Sequence, residues 1–89
     1  MIYDTKNRLL IDGENTVKIS KNREKLLIAL SSMDFVTHEE MANYIYNKNY
    51  EEVKRAIRRL KNELKYKANL KIKVKRGLGY ILETNIFFE

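Results

Sequence analysis

The chain has 89 residues, of which 44% are hydrophobic and 34% charged, as is typical of one small folded domain with a modest core. It has no cysteine, which excludes disulfide frameworks and thiolate metal sites. No segment approaches the ~18 apolar residues of a membrane span, and the N-terminus lacks the pattern of a signal peptide. We therefore expect a single cytoplasmic domain over residues 1–89, not inserted in a membrane.

The net charge of +6 is distributed unevenly along the chain. Eleven of the 18 basic residues but only one of the 12 acidic residues, Glu63, lie between Lys54 and Arg76. Such segregation favours a polyanionic partner, either nucleic acid or an anionic membrane surface. Charge alone also leaves open a lysine-rich face that is simply solvated.

Residues 1–19 read as three short strands with the sequences MIYD, RLLID and TVKIS. Asn, Asp and Gly separate them, and Asp12-Gly13 is a hairpin turn signal. The pattern predicts an antiparallel meander.

Residues 21–67 are predicted to form three helices. Ser20 is a candidate N-cap for the first, which reaches about Ser32. Thr37 and Glu40 form a capping box that begins the second, which ends near Asn47. The apolar positions expected in the core of this region are Leu26, Leu27, Leu30, Met33, Phe35, Val36, Met41, Ala42 and Ile45.

The third predicted helix has the clearest periodicity. Its apolar residues recur at steps of four, three and four, which places them along one side. They are Val53, Ile57, Leu60 and Leu64. The opposite side carries Arg55, Arg58, Arg59 and Asn62, and Lys54 and Lys61 flank the apolar stripe.

After Ala68-Asn69 the period changes to two, which predicts a hairpin over residues 70–83 and a further pairing segment at Ile86–Phe88. We expect an apolar side to anchor the hairpin, an opposite side of lysines to face phosphate, and both glycines of RGLG to permit positive φ. The apolar side consists of Ile72, Val74, Ile81 and Leu82. Strands, three helices and a basic hairpin together indicate an α+β winged helix-turn-helix.

The basic side chains divide by chemistry into base readers and phosphate ligands. Arg55 and Arg59 lie one turn apart and Asn62 continues their row, so these three are predicted to read bases in the major groove. Arg76 at the hairpin tip is predicted to enter the minor groove. The predicted phosphate ligands are Lys54, Arg58, Lys61, Tyr46, Lys73, Lys75 and Tyr80.

No catalytic, metal or cofactor site is predicted. His38 is the only histidine and has no partner ligand, so we expect an ordinary surface residue in the first turn of a helix. Gly77-Leu78-Gly79 lacks the third glycine and the following helix of a dinucleotide-binding fingerprint. We expect no enzymatic activity.

The sequence resembles the effector domain of OmpR/PhoB-type response regulators. The segments VKRAIRRLKNEL (53–64) and IKVKRGLGY (72–80) are similar to the family patterns V-x-x-x-I-x-R-L-R-x-K-L and v-R-G-x-G-Y. The resemblance implies a four-stranded N-terminal sheet, three helices and a hairpin that binds promoter DNA. It also implies paired or tandem protomers on repeated half-sites, and the same roles for Arg55, Arg59, Arg58, Lys61, Tyr46 and Arg76.

The chain departs from the family pattern in three ways. It has no receiver domain, so it is either a stand-alone regulator or a domain of a longer one. The turn at Asn47–Tyr50 is about four residues shorter than the family loop that is linked to RNA polymerase contact, which leaves activation or repression open. Glu51 and Glu52 stand where neutral or basic residues are common, either to cap the helix or to select against particular bases.

The sequence therefore favours a sequence-specific, double-stranded DNA-binding transcription regulator. The main alternative is a winged helix that binds an acidic protein partner through its basic face. RNA binding stays open, whereas membrane-surface association is disfavoured because the core needs the narrow apolar stripe of the third helix.

Overall fold

The computed structural model of the protein describes residues 1–89 and contains three helices and seven short strands. The helices are Lys21–Ser32 (α1), His38–Tyr46 (α2) and Tyr50–Lys67 (α3). The strands are Ile2–Asp4 (β1), Leu9–Asp12 (β2), Asn15–Lys18 (β3), Val36–Thr37 (β4), Ile72–Lys75 (β5), Gly79–Leu82 (β6) and Phe87–Phe88 (β7). This arrangement confirms the predicted α+β winged-helix class. None of the helices is long and apolar enough to cross a membrane.

The N-terminal sheet contains the predicted meander and one strand from the far end of the chain. Its order is β3-β2-β1-β7, and β2 and β3 pair on either side of the Asp12-Gly13 turn, where Gly13 has φ of 61°. The expected fourth strand is β7, which pairs in parallel with β1. The free edge of β1 offers backbone groups that need partners, and Phe87 and Glu89 donate their N–H groups to the carbonyls of Met1 and Tyr3 at 2.9 Å.

The predicted caps form at α1 and α2. The N–H of Glu40 donates to Thr37 Oγ1 at 3.1 Å, and the N–H of Thr37 donates to Glu40 Oε1 at 2.9 Å. The bond from the Thr37 backbone lowers the pKa of the Glu40 carboxyl, because it stabilises the ionised form. Asn47 ends α2 in the left-handed conformation with φ of 55°, as a C-terminal Asn can.

The core lies between the three helices and both sheets. The four apolar residues of α3 are all buried, and Ile57 and Leu64 are completely so. Of the three linker residues expected in the core, Val36 is buried, Phe35 is only partly buried and Met33 is 45% exposed. The prediction for Met33 is therefore wrong: the chain leaves α1 there in an extended conformation, and the linker first pairs with the hairpin at Val36.

The C-terminal hairpin is held near its turn by a third strand, in the order β4-β6-β5. Its two glycines have different roles. Gly77 adopts φ of 75° in the turn, whereas Gly79 has no positive φ and lies so close to β4 that a Cβ there would be 2.0 Å from the Val36 carbonyl oxygen. The expectation that both glycines permit positive φ is wrong for Gly79, which is required for close approach instead.

Burial along β5 and β6 also differs from the prediction. Ile72 is buried, but Val74 is 45% exposed. Ile81 and Leu82 are partly buried, and Tyr80 enters the core at 3% exposure. The anchor of the hairpin is therefore chiefly Ile72 and Tyr80.

Candidate nucleic-acid interface

The predicted reading face of α3 is present as a surface. Arg55, Arg58 and Arg59 are exposed, Asn62 is half-buried, and all four line one shallow concavity on the side away from the buried stripe. The 18-residue helix lies on the core through that stripe, so its polar side is presented along about five turns.

The arginines of this face have no acidic partner in the protein. Glu63, the one acid of the basic segment, forms an ion pair with Arg23 of α1 instead. The other ion pair joins Lys54 to Glu51 at 3.2 Å, so Arg55, Arg58 and Arg59 have no carboxylate within 4.0 Å. Their charge is thus free for an external anion.

Lys61 shows how crowded the positive charge is. Burial lowers the pKa of its ammonium group, and the neighbouring charges of Lys65 and Arg58 lower it further. An approaching phosphate would stabilise the charged form and relieve this repulsion.

A groove joins α3 to the hairpin. Its basic residues are Lys54, Arg58 and Lys61 from α3 and Arg76 from the hairpin tip. Arg58 borders both this groove and the concavity of the arginine face. The α3 face and the hairpin tip therefore form one continuous cationic surface.

Lys73 and Lys75 are not part of that groove. Val74 lines it, and successive side chains of a strand point to opposite faces, so the two lysines leave the other face of the hairpin. Both are exposed. Lys73 and Lys75 alternate with Val74 as predicted, but their side of the hairpin lies away from α3.

The two tyrosines predicted to bind phosphate are placed differently from expectation. Tyr80 is buried, and that burial raises the pKa of its hydroxyl. Its ring instead faces Lys61 Nζ, which lies 5.8 Å from the ring centroid. Core placement therefore disfavours Tyr80 as a phosphate ligand, while Tyr46 is partly buried against the core at the end of α2.

His38 is not the ordinary surface residue that the sequence predicts. Its ring stacks on Tyr50 with centroids 4.3 Å apart and meets the edge of Tyr80 at 5.3 Å. Burial lowers the pKa of the imidazole, opposed by the charge of Glu39. No local pattern signals this position, because Tyr50 and Tyr80 come from distant parts of the chain.

Tyr66 is a member of the α3 surface that sequence reasoning missed. It is 73% exposed and lines the same concavity as the arginines. Its ring lies 5.6 Å from Lys65 Nζ. The available signal was its position four residues after Asn62, which continues the row by one turn.

The acidic residues that begin α3 have structural partners. Asn49 Oδ1 accepts from the N–H of Glu52 at 3.2 Å, and Asn49 Nδ2 donates to Glu52 Oε1 at 2.7 Å. Glu51 is paired with Lys54. Capping explains Glu52, whereas Glu51 lies in the groove beside the basic side chains.

No family model matches this sequence, and no curated protein matches it either. Among solved structures, the chain is similar to the DNA-binding domain of Bacillus subtilis CssR, with a TM-score of 0.65 and 19% sequence identity. The match covers 88% of this chain and 93% of that domain. The chain therefore shares the fold of that DNA-binding domain. At this level of identity the likeness establishes the winged-helix fold, and function rests on the residues of this chain.

Proposed function

We propose that this winged helix binds double-stranded DNA sequence-specifically and regulates transcription. In this arrangement α3 enters the major groove and the hairpin tip meets the backbone or minor groove. The observation that carries the proposal is the continuous cationic surface that Arg58 joins, in which three arginines lack any acidic partner.

The proposed roles follow the geometry of the surface. Arg55, Arg59 and Asn62 read base edges, because they lie along the exposed side of α3. Lys54, Arg58 and Lys61 bind phosphates at its border with the hairpin, and Arg76 enters the minor groove. Tyr46, at the end of α2, is also proposed to bind phosphate.

The proposal also covers the protein's location in the cell and its assembly on DNA. It is a cytoplasmic, non-enzymatic regulator over residues 1–89 that acts as paired or tandem protomers on repeated half-sites. Three residues, 47–49, separate α2 from α3. A turn this short offers little surface for RNA polymerase.

Selection of binding sites from a random duplex pool tests the proposal. We expect an enriched motif, with a repeat at about 10–11 bp if protomers bind in tandem. Four to eight phosphate contacts predict a slope of log affinity against log salt of roughly −4 to −7. Absence of enrichment together with negligible duplex affinity near ~0.1 M salt would contradict it, and preferential binding of an RNA competitor would redirect it.

A further inference from the structure

His38 lies where three separate elements meet. Its ring is parallel to Tyr50 of α3, with an interplanar angle of 9°, and nearly perpendicular to Tyr80 of β6, at 77°. Its backbone N–H donates to the carbonyl of Leu78 in the hairpin turn at 2.9 Å. One residue at the start of α2 therefore contacts both α3 and the hairpin.

In the sheet, the turn end of the hairpin is held on the β6 side, because β5 is an edge strand. The β4 strand pairs with Gly79 and Tyr80, the two residues that directly follow the turn. Val74 on β5 and Leu78 in the turn are 45% and 63% exposed. The direction in which the tip residue Arg76 points therefore depends on how Tyr80 and the turn are held against α3.

We propose that His38 is a positioning residue that sets the hairpin relative to α3, so that Arg76 and Arg58 engage the same duplex. The positioning of the hairpin rests on the structure alone, whereas the joint contact of Arg76 and Arg58 with one duplex rests on the proposed DNA-binding function. A flat ring is required, because one face stacks on Tyr50 while Tyr80 approaches edge-on.

The charges around the ring fit a role in packing rather than in direct anion binding. The groove around it contains Lys54, Arg58, Lys61 and Arg76, with Glu39 and Glu51 as the acids. Burial lowers the pKa of the imidazole, and the charge of Glu39 opposes this shift. The ring thus acts as a rigid spacer between α3 and the hairpin.

Hydrogen exchange of the free protein tests the positioning role without DNA. In His38→Ala we expect the Leu78 amide, which donates to Lys75 O across the turn, to exchange at least about tenfold faster than in wild type. His38→Phe keeps a flat ring and is expected to restore the wild-type rate. Tyr44→Ala, at an exposed tyrosine of α2, is the matched control and leaves the rate unchanged. Unchanged exchange in His38→Ala would overturn the proposal.

A double-mutant cycle tests the consequence for binding to a duplex that the wild type selects. We expect Arg76→Ala to weaken binding about tenfold in wild type and in His38→Phe, but less than about threefold in His38→Ala, because the tip is already misplaced. Equal losses in all three backgrounds would overturn the proposal. If His38→Ala does not fold, His38→Leu against His38→Phe gives the same comparison.

Hydrogen exchange and the double-mutant cycle distinguish a failure of the proposed function from a failure of the positioning role. If the wild type binds no duplex, the proposed function fails, while hydrogen exchange still decides whether His38 holds the hairpin. If the duplex binds but the cycle is additive, DNA binding stands and the positioning role fails.

Discussion

Apolar and basic residues recur at regular spacings in both helix α3 and the C-terminal hairpin. All the apolar residues of the pattern are buried only in α3. In α3 the four apolar residues are all buried and the arginines are outside. In the hairpin Ile72 is buried but Val74 is 45% exposed, and Lys73 and Lys75 lie on the face away from α3. Of the basic residues of the hairpin, only Arg76 at the tip lines the groove with α3.

The difference arises from where each element meets the core. A helix that lies on the core over its whole length has its outer side determined by its buried stripe. The hairpin keeps its two sides distinct, but at Val74 the side that faces α3 meets an open groove instead of the core. Alternation in a hairpin therefore shows which side chains share a face, and the neighbouring elements decide what that face meets.

The largest effect is expected at the start of β6, next to the hairpin turn. Gly79→Ala would place a Cβ 2.0 Å from the Val36 carbonyl oxygen, which is backbone and cannot move aside cheaply. We expect a loss of about 3 kcal/mol in the free energy of unfolding, measured by urea denaturation.

Gly77→Ala is the matched variant, in the turn two residues before Gly79. Gly77 has open space around its Cβ position and a φ of 75°, so only backbone strain opposes the substitution. We expect a loss of about 1–2 kcal/mol. A loss at Gly77 equal to or greater than that at Gly79 would show that the start of β6 is not constrained as described.

The next effect concerns base recognition by α3. Arg59→Ala should reduce discrimination at one base pair of a selected site by about 1–3 kcal/mol, because it removes a bidentate reader. Affinities for the selected site and its single-base variants, measured by fluorescence anisotropy, check this. Equal weakening on selected and random DNA would make Arg59 a phosphate ligand instead.

A smaller effect separates the lysines of the groove from those of the outer hairpin face. Lys61→Ala should weaken binding to all sequences and reduce the salt slope by about 1. Lys73→Ala removes the same charge from the face away from α3, so we expect a clearly smaller change in slope. Equal slopes would place the duplex across both faces of the hairpin.

The smallest effect is the pH dependence of stability. Burial lowers the pKa of His38 in the folded state, so the unfolded chain binds more protons in the window just below about pH 6.5. The free energy of unfolding is therefore expected to fall as pH decreases through that window. His38→Phe should remove this component, and an unchanged profile in that variant would contradict the burial of the ring.

Local signals in the sequence predicted the helices well. The capping box at Thr37, the Asn47 stop and the apolar stripe of α3 are all present, because each depends on residues within a few positions of one another. The meander at the N-terminus was predicted for the same reason.

Features that depend on distant residues were not predicted. The parallel pairing of β7 with β1 joins the two ends of the chain, and no spacing rule reports it. The stack of His38 on Tyr50 and its edge-on contact with Tyr80 are created by the fold. Similarly, the sequence marked Gly79 as a turn residue, whereas its neighbour in space, Val36, determines its role.

The central claim is that the arginine side of α3 and the hairpin tip form one surface for duplex DNA. Titration of isotope-labelled protein with a selected duplex, followed by amide chemical shifts, tests it most directly. We predict changes together at Arg55, Arg58, Arg59, Arg76 and Gly77, with the β2–β3 turn unaffected. Shifts confined to the N-terminal sheet, or changes in α3 without the hairpin tip, would contradict the account.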